Sequence, residues 1–124
     1  MLGPSCLRLV IVDDNPRTRS ALTAFFSTLE DMQVVGEAAD GRQAIELLPC
    51  CSPDVVLMDA RMPHMDGIEA TRLVKERWPR IPVVILTLYA DCQAQAQSAS
   101  ADAVLLKGCS LQSMASTIRG VAGR

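Results

Sequence analysis

Three aspartates each come directly after a short apolar run, and this placement suggests a shared chemical site. Asp13 and Asp14 follow the run Leu7–Val12. Asp59 follows the run Val55–Met58. If the two runs are neighbouring parallel strands, the carboxylates meet at one edge of a sheet, where raised pKa values or a bound cation must relieve their repulsion. Mg²⁺ prefers oxygen ligands and often bridges to phosphate oxygens, so the pattern predicts a Mg²⁺ site concerned with phosphate chemistry.

Two further polar residues follow the next apolar runs and would add a hydroxyl and an ammonium group to the same edge. Thr87 comes after Val83–Leu86, and Lys107 comes after Ala103–Leu106. Each residue also has an ordinary explanation: the Asp13–Asp14 pair could favour the start of a helix, Thr87 could be a plain strand end, and Lys107 a solvated charge. Their coincidence at successive strand ends favours the shared site.

Short apolar runs alternate with segments of helical period along the chain, five of each. The runs are nearly continuous in apolar residues, which is typical of parallel strands buried on both faces. Together with right-handed crossovers, this alternation predicts an α/β fold: a doubly wound, five-stranded parallel sheet with strand order 2-1-3-4-5 and helices on both faces. The predicted strands are Leu7–Val12, Gln33–Glu37, Val55–Met58, Val83–Leu86 and Ala103–Leu106.

Four of the five helices carry clear signals. The first begins at Pro16, a short second helix follows Asp40–Gly41, the third ends before Pro79, and Ser110 is the N-cap of the last. The fourth segment, residues 90–102, contains no large apolar side chain that could dock on a sheet. It predicts a short or irregular helix.

The composition suits one domain and excludes several classes of protein. The chain has 124 residues, of which 49% are hydrophobic, enough to bury a full core. Its net charge is −2 and no basic stripe is present, which argues against nucleic-acid binding by this chain alone. The apolar runs are too short to span a bilayer, and the first ten residues lack signal-peptide features. We therefore expect no membrane association and a cytoplasmic location.

The five cysteines, at positions 6, 50, 51, 92 and 109, include no C-x-x-C pair, and one histidine is available to help bind zinc. We expect reduced thiols that act as small buried or half-buried side chains. A redox sensor at Cys50–Cys51 is the alternative.

Four motifs resemble the receiver domain of bacterial two-component response regulators, across nearly the whole chain. They are RLVIVDDNP, DVVLMDARMPHMDGIEATR, PVVILT and VLLKG. The run GIEATRLVKERWP and the LLKG ending are most similar to receivers of the NarL/FixJ (LuxR-type helix-turn-helix) class. The resemblance implies a CheY-like (flavodoxin-like) fold and one receiver domain over residues 1–124. Because such receivers usually precede a C-terminal DNA-binding domain, which this chain lacks, we expect a receiver fragment rather than a stand-alone receiver.

The resemblance also implies a role for each carboxylate. Asp59 would be the phosphoacceptor. Asp14, Asp59 and the backbone carbonyl of Arg61 would hold Mg²⁺, and Asp13 would assist through a water molecule. A carboxylate is a known covalent nucleophile for phosphoryl groups, and phosphoryl transfer needs mainly alignment and charge neutralisation, so the implied roles agree with the predicted site.

Thr87 and Lys107 would bind the phosphoryl oxygens by the same resemblance. The donor would be a sensor histidine kinase or a small phosphodonor, and movement of Thr87 toward phosphorylated Asp59 would repack the fourth helix and switch an output such as transcription. The chain would be a signalling module that catalyses only its own phosphorylation and dephosphorylation. A homodimer is a possible assembly, and DNA would be bound only through the absent C-terminal domain.

Some positions depart from the pattern of the family. The segment between Thr87 and Lys107 is shorter than usual, at the helix where receivers build an output surface. Val104 stands where an aromatic switch residue is common, and Tyr89 is a candidate substitute. Arg61 and Tyr89 are expected to overhang the phosphoryl group and tune the lifetime of the acyl phosphate.

Two other functions are alternatives to that of a phosphoacceptor. A phosphorylation-independent receiver-like domain for dimerisation or protein interaction would explain the altered fourth helix. A phosphatase with an aspartate nucleophile is poorly supported, because such enzymes carry a second carboxylate two residues after the nucleophile, and Arg61 occupies that position after Asp59.

Overall fold

The computed structural model describes residues 6–88 and 93–123 and contains strands and helices in strict alternation. The strands are β1 (Leu7–Val12), β2 (Met32–Ala38), β3 (Val55–Asp59), β4 (Val83–Thr87) and β5 (Ala103–Leu106). The helices are α1 (Pro16–Ser27), α2 (Gly41–Cys51), α3 (Gly67–Arg77), α4 (Gln93–Ser98) and α5 (Leu111–Ala122).

The five strands form one parallel sheet in the order β2-β1-β3-β4-β5, which confirms the predicted fold. The carboxyl ends of β1 and β3 lie side by side, with Val12 paired to Met58. The register continues across β4 and β5, where Thr87 pairs with Leu106. The residues that end or follow these four strands therefore lie along one edge of the sheet.

Strand β2 carries a bulge opposite β1. Leu9 pairs with Val34, but Val10 pairs with Gly36, so Val35 is an extra residue without a counterpart in β1. The Cys51 thiol, at the end of α2, lies 3.6 Å from the Val35 carbonyl oxygen and donates to it. A Cβ atom on Gly36 would lie 2.9 Å from the Cys51 sulfur, so a larger residue there would require the Cys51 side chain to shift.

Alternate strand residues supply two separate cores. Val10 and Met58 pack with α2, α3 and α4 on one face of the sheet. Ile11 and Leu57 pack with α1 and α5 on the other face, around the fully buried Phe26. Strands β3 and β4 are buried along their whole length, as expected for central strands covered on both sides.

Polar side chains begin four of the helices, and the sequence indicated three of these starts; the N-cap Asp66 of α3 was not predicted. Pro16 occupies the first turn of α1, and Ser110 caps α5. Each N-cap side chain accepts a hydrogen bond from a backbone N–H of the first turn, which satisfies a donor that has no partner inside the helix. These N-caps are Asn15, Asp40, Asp66 and Ser110.

The prediction of a short second helix was wrong. Helix α2 has 11 residues and continues through Pro49 to Cys51. Proline lacks a backbone N–H and therefore disfavours the interior of a helix, yet Pro49 lies inside α2. The helix ends at Ser52, whose left-handed conformation (φ 47°) allows its N–H to donate to the Leu48 carbonyl.

Helix α4 is short, as predicted. It has six residues, and its buried side chain is that of Ala96. The chain after α4 is held more firmly, because the Asp102 carboxylate accepts hydrogen bonds from Lys75 Nζ at 2.9 Å and from Val83 N at 2.8 Å. An ion pair from α3 thus anchors the strand that follows a weakly docked helix.

Two of the described cysteines do not match the expectation of buried or half-buried side chains. Cys6 and Cys50 are exposed, whereas Cys51 and Cys109 are partly buried. Adjacent residues of a helix lie about 100° apart around its axis, so Cys50 faces solvent when Cys51 packs on the sheet. Cys92 lies outside the described residues.

Among the described helices, none combines the length and the apolar character needed to cross a bilayer.

Candidate functional site

The six residues predicted to bind the cation or the phosphoryl group line one cavity of about 220 Å³ at the carboxyl edge of the sheet. Asp59 and Thr87 are the last residues of β3 and β4, so these strands extend one residue further than the sequence indicated. Lys107 directly follows β5. The cavity is lined by Asp13, Asp14, Asn15, Thr18, Asp59, Ala60, Arg61, Thr87, Leu88 and Lys107.

The three aspartates form a compact acidic cluster. Asp13, Asp14 and Asp59 each offer a carboxylate oxygen, and these oxygens lie within 4.8 Å of one another. Their environments differ, because Asp13 and Asp59 are only 1% and 4% exposed whereas Asp14 is exposed to solvent. The cluster is therefore a partly buried set of oxygen ligands with one open side.

Lys107 supplies positive charge to this cluster. Its Nζ lies 3.0 Å from Asp59 Oδ1 and 3.9 Å from Asp13 Oδ2. The backbone N–H of Lys107 donates to the Thr87 carbonyl at 2.7 Å, which fixes the start of the β5–α5 loop beside β4. Lys107 thus brings one positive charge to a cluster of three carboxyl groups.

A divalent cation suits this arrangement. Asp13 Oδ2 is buried and accepts no hydrogen bond from the described residues, although a buried carboxylate oxygen normally accepts one. Mg²⁺ takes one or two carboxylates and keeps several waters, which matches a small cluster with an exposed side at Asp14. The donor set therefore fits a hard cation such as Mg²⁺.

Burial raises the pKa of the Asp59 carboxyl above its ordinary value. The next largest effect is a hydrogen bond from Lys107, which lowers this pKa, followed by the charge of Asp13, which raises it. The charge of Lys107 and a hydrogen bond from the Arg61 backbone N–H lower the pKa by smaller amounts. Burial is the largest of these causes, so the net direction is upward.

The loop after β1 orients Asp13 through its backbone neighbours. The N–H of Asn15 donates to Asp13 Oδ1 at 2.9 Å, and the Asn15 side chain caps α1 by accepting from Arg17 N and Thr18 N. The capping role considered for the Asp13–Asp14 pair thus belongs to Asn15. Both carboxylates remain available to the cavity.

Arg19 is a component of this region that the sequence did not indicate. Its Nη1 donates to the Asp13 main-chain oxygen at 2.6 Å, and its Nε lies 3.3 Å from Glu37 Oε1, at the end of β2. The signal in the sequence was weak: a cationic residue one turn into a helix that follows an acidic loop.

The backbone around Asp59 is closely packed. The N–H of Gly67, at the start of α3, donates to the Ala60 carbonyl at 2.8 Å. A Cβ atom on Gly67 would lie 1.8 Å from the Asp59 main-chain oxygen, a distance that no side chain can adopt. Glycine at this position therefore allows α3 to contact the residue that carries the central carboxylate.

Other residues lie at the rim of the site or apart from it. Arg61 is exposed at the mouth of the cavity, and Val104 packs half-buried against the core on the α3 side. His64 is exposed in the β3–α3 loop, and Trp78 packs half-buried at the end of α3. Tyr89, predicted to overhang the site, lies outside the described residues.

Comparison with known proteins identifies relatives across this region. Response regulator protein VraR of Staphylococcus saprophyticus is 38% identical over 115 residues, which are 91% of this chain and 55% of that protein. The uncharacterized transcriptional regulatory protein YhcZ of Bacillus subtilis is 42% identical over 85 residues, which are 68% of this chain and 40% of that protein. The chain thus spans about half the length of these curated relatives.

A solved structure and a family model agree with these relatives. The signal receiver domain of the putative response regulator NarL from Mycobacterium tuberculosis superposes with a TM-score of 0.91 at 31% identity, covering 97% of this chain and 98% of that one. Residues 9–119 match the model of the response regulator receiver domain. The match includes every residue of the acidic cluster together with Thr87 and Lys107. The chain therefore belongs to the family of response regulator receiver domains, which are signalling modules of two-component systems.

Proposed function

We propose that this receiver accepts a phosphoryl group on Asp59 and thereby switches an output. The observation that carries the proposal is the position of Asp59. Its carboxylate is almost fully buried, yet it lines a cavity at the sheet edge and lies 3.0 Å from the Lys107 ammonium. A carboxylate held beside a fixed cation in a partly dry cavity is suited to receive a phosphoryl group.

Mg²⁺ would be held by Asp14, Asp59 and the main-chain carbonyl of Arg61, with Asp13 acting through a water molecule. The carboxylate oxygens within 4.8 Å of one another support this assignment, as does the buried Oδ2 of Asp13, which accepts no hydrogen bond from the described residues. When bound, Mg²⁺ would supply positive charge that offsets the carboxylates and the phosphoryl oxygens. Asp14 is the exposed member and would meet the solvated side of the ion.

In the transfer step, a carboxylate oxygen of Asp59 attacks the phosphorus of a kinase phosphohistidine. The new P–O bond forms as the P–N bond breaks, and the electron pair of that bond returns to the imidazole. The product is an aspartyl phosphate. The Lys107 ammonium and the Thr87 hydroxyl would bind the phosphoryl oxygens, because both residues line the cavity beside Asp59.

The output would respond through the β4–α4 region. Movement of Thr87 toward the phosphoryl group would displace Leu88 and the chain leading to α4. Helix α4 is suited to repacking, because its contact with the core depends on the single buried side chain of Ala96. Arg61 lies at the mouth of the cavity and would influence hydrolysis of the aspartyl phosphate, so an unchanged phosphoryl lifetime in Arg61→Ala would contradict that role.

The proposed biological setting follows from the relatives. YhcZ is named a transcriptional regulatory protein, and the matched region is about half the length of these relatives. We infer that residues 1–124 form one receiver domain that works in the cytoplasm with a sensor histidine kinase and controls transcription through an attached DNA-binding domain. A homodimer is a compatible assembly.

The first experiment is incubation with acetyl phosphate, with and without Mg²⁺, followed by intact-mass measurement. The expected result is a Mg²⁺-dependent gain of one phosphoryl group that is absent in Asp59→Asn. Asp54→Asn is the matched control, because Asp54 is an exposed carboxylate just before the other end of β3. This control should be phosphorylated like the unmodified chain.

Failure of the experiment would favour the second function. If neither acetyl phosphate nor beryllofluoride with Mg²⁺ modifies or binds the protein, the phosphoacceptor proposal is wrong. A phosphorylation-independent dimerisation or interaction domain would then explain the short α4 and the exposed Leu88, Leu106 and Leu111 near the carboxyl ends of β4 and β5.

A further inference from the structure

The Arg19 side chain contacts both the loop after β1, at Asp13, and the end of β2, at Glu37. Its guanidinium donates from Nη1 to the main-chain oxygen of Asp13 at 2.6 Å and from Nε toward Glu37 Oε1 at 3.3 Å. The Arg19 side chain is 21% exposed, so both contacts are partly shielded from water. Charge-assisted hydrogen bonds of this kind are among the stronger polar contacts in proteins.

The oxygen that Arg19 binds belongs to the peptide that joins Asp13 to Asp14. The other side of Asp13 is also fixed, because its N–H donates to the Ala38 carbonyl at 3.0 Å. Because hydrogen bonds hold the peptide groups on both sides of Asp13, its backbone has little freedom. The planar Asp13–Asp14 peptide also fixes the position of the Asp14 backbone nitrogen. Arg19 therefore controls the direction in which the two carboxylates leave the loop.

Asp14 depends on this backbone more than its neighbours do. Asp13 accepts a hydrogen bond from Asn15 N, and Asp59 is held by Lys107. Asp14 is exposed, belongs to the acidic cluster and lines the cavity. Its carboxylate is positioned by the main chain, which Arg19 fixes.

We propose that Arg19 is a positioning residue for the cation site, acting through the Asp13–Asp14 peptide. The inference rests on the proposed Mg²⁺ site and adds a residue that does not itself contact the ion. Arginine suits the role because its guanidinium offers separate N–H groups to two acceptors in different directions. Lysine can reach one acceptor at a time with comparable geometry.

The test is the dissociation constant for Mg²⁺, measured by isothermal titration calorimetry with MgCl₂ alone on the full chain. Arg19→Gln should raise this constant about tenfold, as loss of a residue that orients metal ligands commonly does. Arg19→Lys should give a smaller rise, of about threefold. The melting midpoint in EDTA, recorded in parallel, shows whether each variant is folded.

Arg17→Gln is the matched control. Arg17 is exposed and lies two residues earlier in the same helix, so this variant removes the same charge without changing the contact to Asp13. Its Mg²⁺ dissociation constant should stay within about twofold of the unmodified chain, since exposed charges at this range are screened.

A kinetic measurement separates positioning from general damage. With acetyl phosphate as donor, the Mg²⁺ concentration for half-maximal phosphorylation should rise in Arg19→Gln by the same factor as the dissociation constant. The rate at saturating Mg²⁺ should return to near that of the unmodified chain. A merely structural role would lower the saturating rate or the melting midpoint and leave the Mg²⁺ requirement unchanged.

The outcomes distinguish this inference from the proposed function. If the unmodified chain binds Mg²⁺ and folded Arg19→Gln binds it as tightly as Arg17→Gln, the positioning role is wrong and the metal site stands. If the unmodified chain binds no Mg²⁺, the metal site itself is wrong and the role of Arg19 fails with it. Should Arg19→Gln not fold, Arg19→Lys replaces it, and a dissociation constant in folded Arg19→Lys equal to that of Arg17→Gln would overturn the inference.

Discussion

At the scale of single residues, Asp59 combines burial with charge, and this combination opposes folding at neutral pH. Its raised pKa means that the folded protein binds the proton more readily than the unfolded chain does. The stabilisation that protonation provides is fully present below the pKa of the unfolded carboxyl, about 4, and is lost as pH rises through the higher folded value. The ionised carboxylate therefore makes folding less favourable near pH 7.

Asp59→Asn should consequently melt a few degrees higher than the unmodified chain at pH 7 in the absence of divalent cations. The difference should shrink as the pH approaches 4, because the unmodified carboxyl is then protonated as well. Thermal unfolding followed by circular dichroism at several pH values measures both effects. Asp54→Asn should show no such gain, and an equal or lower melting midpoint for Asp59→Asn at pH 7 would count against the burial argument.

The close packing around Gly67 predicts that a larger residue at this position destabilises the fold. A methyl group there would lie 1.8 Å from the Asp59 main-chain oxygen, and 2.8 Å from the carbonyl carbon, both parts of a rigid strand end. Gly67→Ala should lower the free energy of unfolding by about 2–3 kcal/mol, because α3 or the end of β3 must shift. Phosphorylation of Asp59 should slow as well.

Gly120→Ala provides the control for this substitution. A Cβ atom at Gly120, in α5, meets nothing within 4 Å. Alanine should therefore raise the free energy of unfolding by about 0.5–1 kcal/mol through its higher helix propensity. Urea denaturation of both variants gives the comparison, and equal effects at the two positions would contradict the steric explanation.

At the scale of elements, the backbone at the end of α2 is strained at Ser52, and a substitution can relieve this strain. Ser52 adopts φ 47° and ψ 59°, a left-handed conformation that glycine adopts without steric cost. Ser52→Gly should raise the free energy of unfolding by about 0.5–1 kcal/mol. It should leave phosphorylation unchanged, because Ser52 precedes the end of β3 that lies opposite Asp59.

Ser116→Gly is the matched change in an ordinary helical position. Ser116 is exposed within α5, so glycine there should lower the free energy of unfolding by about 0.5 kcal/mol. Opposite signs for the two serine-to-glycine variants in urea denaturation are the expected result. Destabilisation in both would show that the left-handed backbone at Ser52 carries no strain.

The elements themselves were largely predictable, for reasons that are local. Apolar runs bounded by Asp, Pro and Gly defined the strands, and Asn15, Asp40 and Ser110 marked helix starts. The length of α2 was not predictable, because Pro49 is a local stop signal that sheet packing of the last turn overrides. The weakness of α4 was visible in its lack of large apolar side chains.

At the scale of the whole molecule, metal binding and stability should be coupled through the acidic cluster. A ligand that binds only the folded state stabilises it by about 1.4 kcal/mol at tenfold excess over its dissociation constant. Mg²⁺ should therefore raise the melting midpoint in a concentration-dependent way. Asp14→Asn should abolish most of this rise while melting normally in EDTA, because Asp14 is exposed.

Differential scanning fluorimetry across a MgCl₂ series measures this coupling. Glu46→Gln serves as a control, since Glu46 is an exposed acidic residue of α2 outside the cluster. A Mg²⁺ response that persists undiminished in Asp14→Asn would place the ion elsewhere.

The candidate site was predictable because the parallel sheet converts positions at strand ends into neighbours in space. Once the order 2-1-3-4-5 is assumed, Asp13, Asp59 and Thr87 must converge. Arg19 was not predictable in this way. Its contact with Glu37 depends on the direction of the Glu37 side chain. That direction depends on how β2 pairs with β1, which the periodicity of the sequence does not define.

The bulge at Val35 determines this direction. Because Val35 is an extra residue, Glu37 pairs with Ile11, whose side chain belongs to the core beneath α1 and α5. In an unbroken ladder Glu37 would pair with Val12, whose side chain belongs to the opposite core, and its carboxylate would face away from α1. A single inserted residue thus determines which face of the sheet the last side chains of β2 point to. It thereby determines whether Arg19 in α1 can pair with Glu37. In this receiver, the bulge in the outer strand β2 therefore affects the acidic loop. It places the Glu37 carboxylate on the face of the sheet where Arg19, which binds the Asp13 main chain, can contact it.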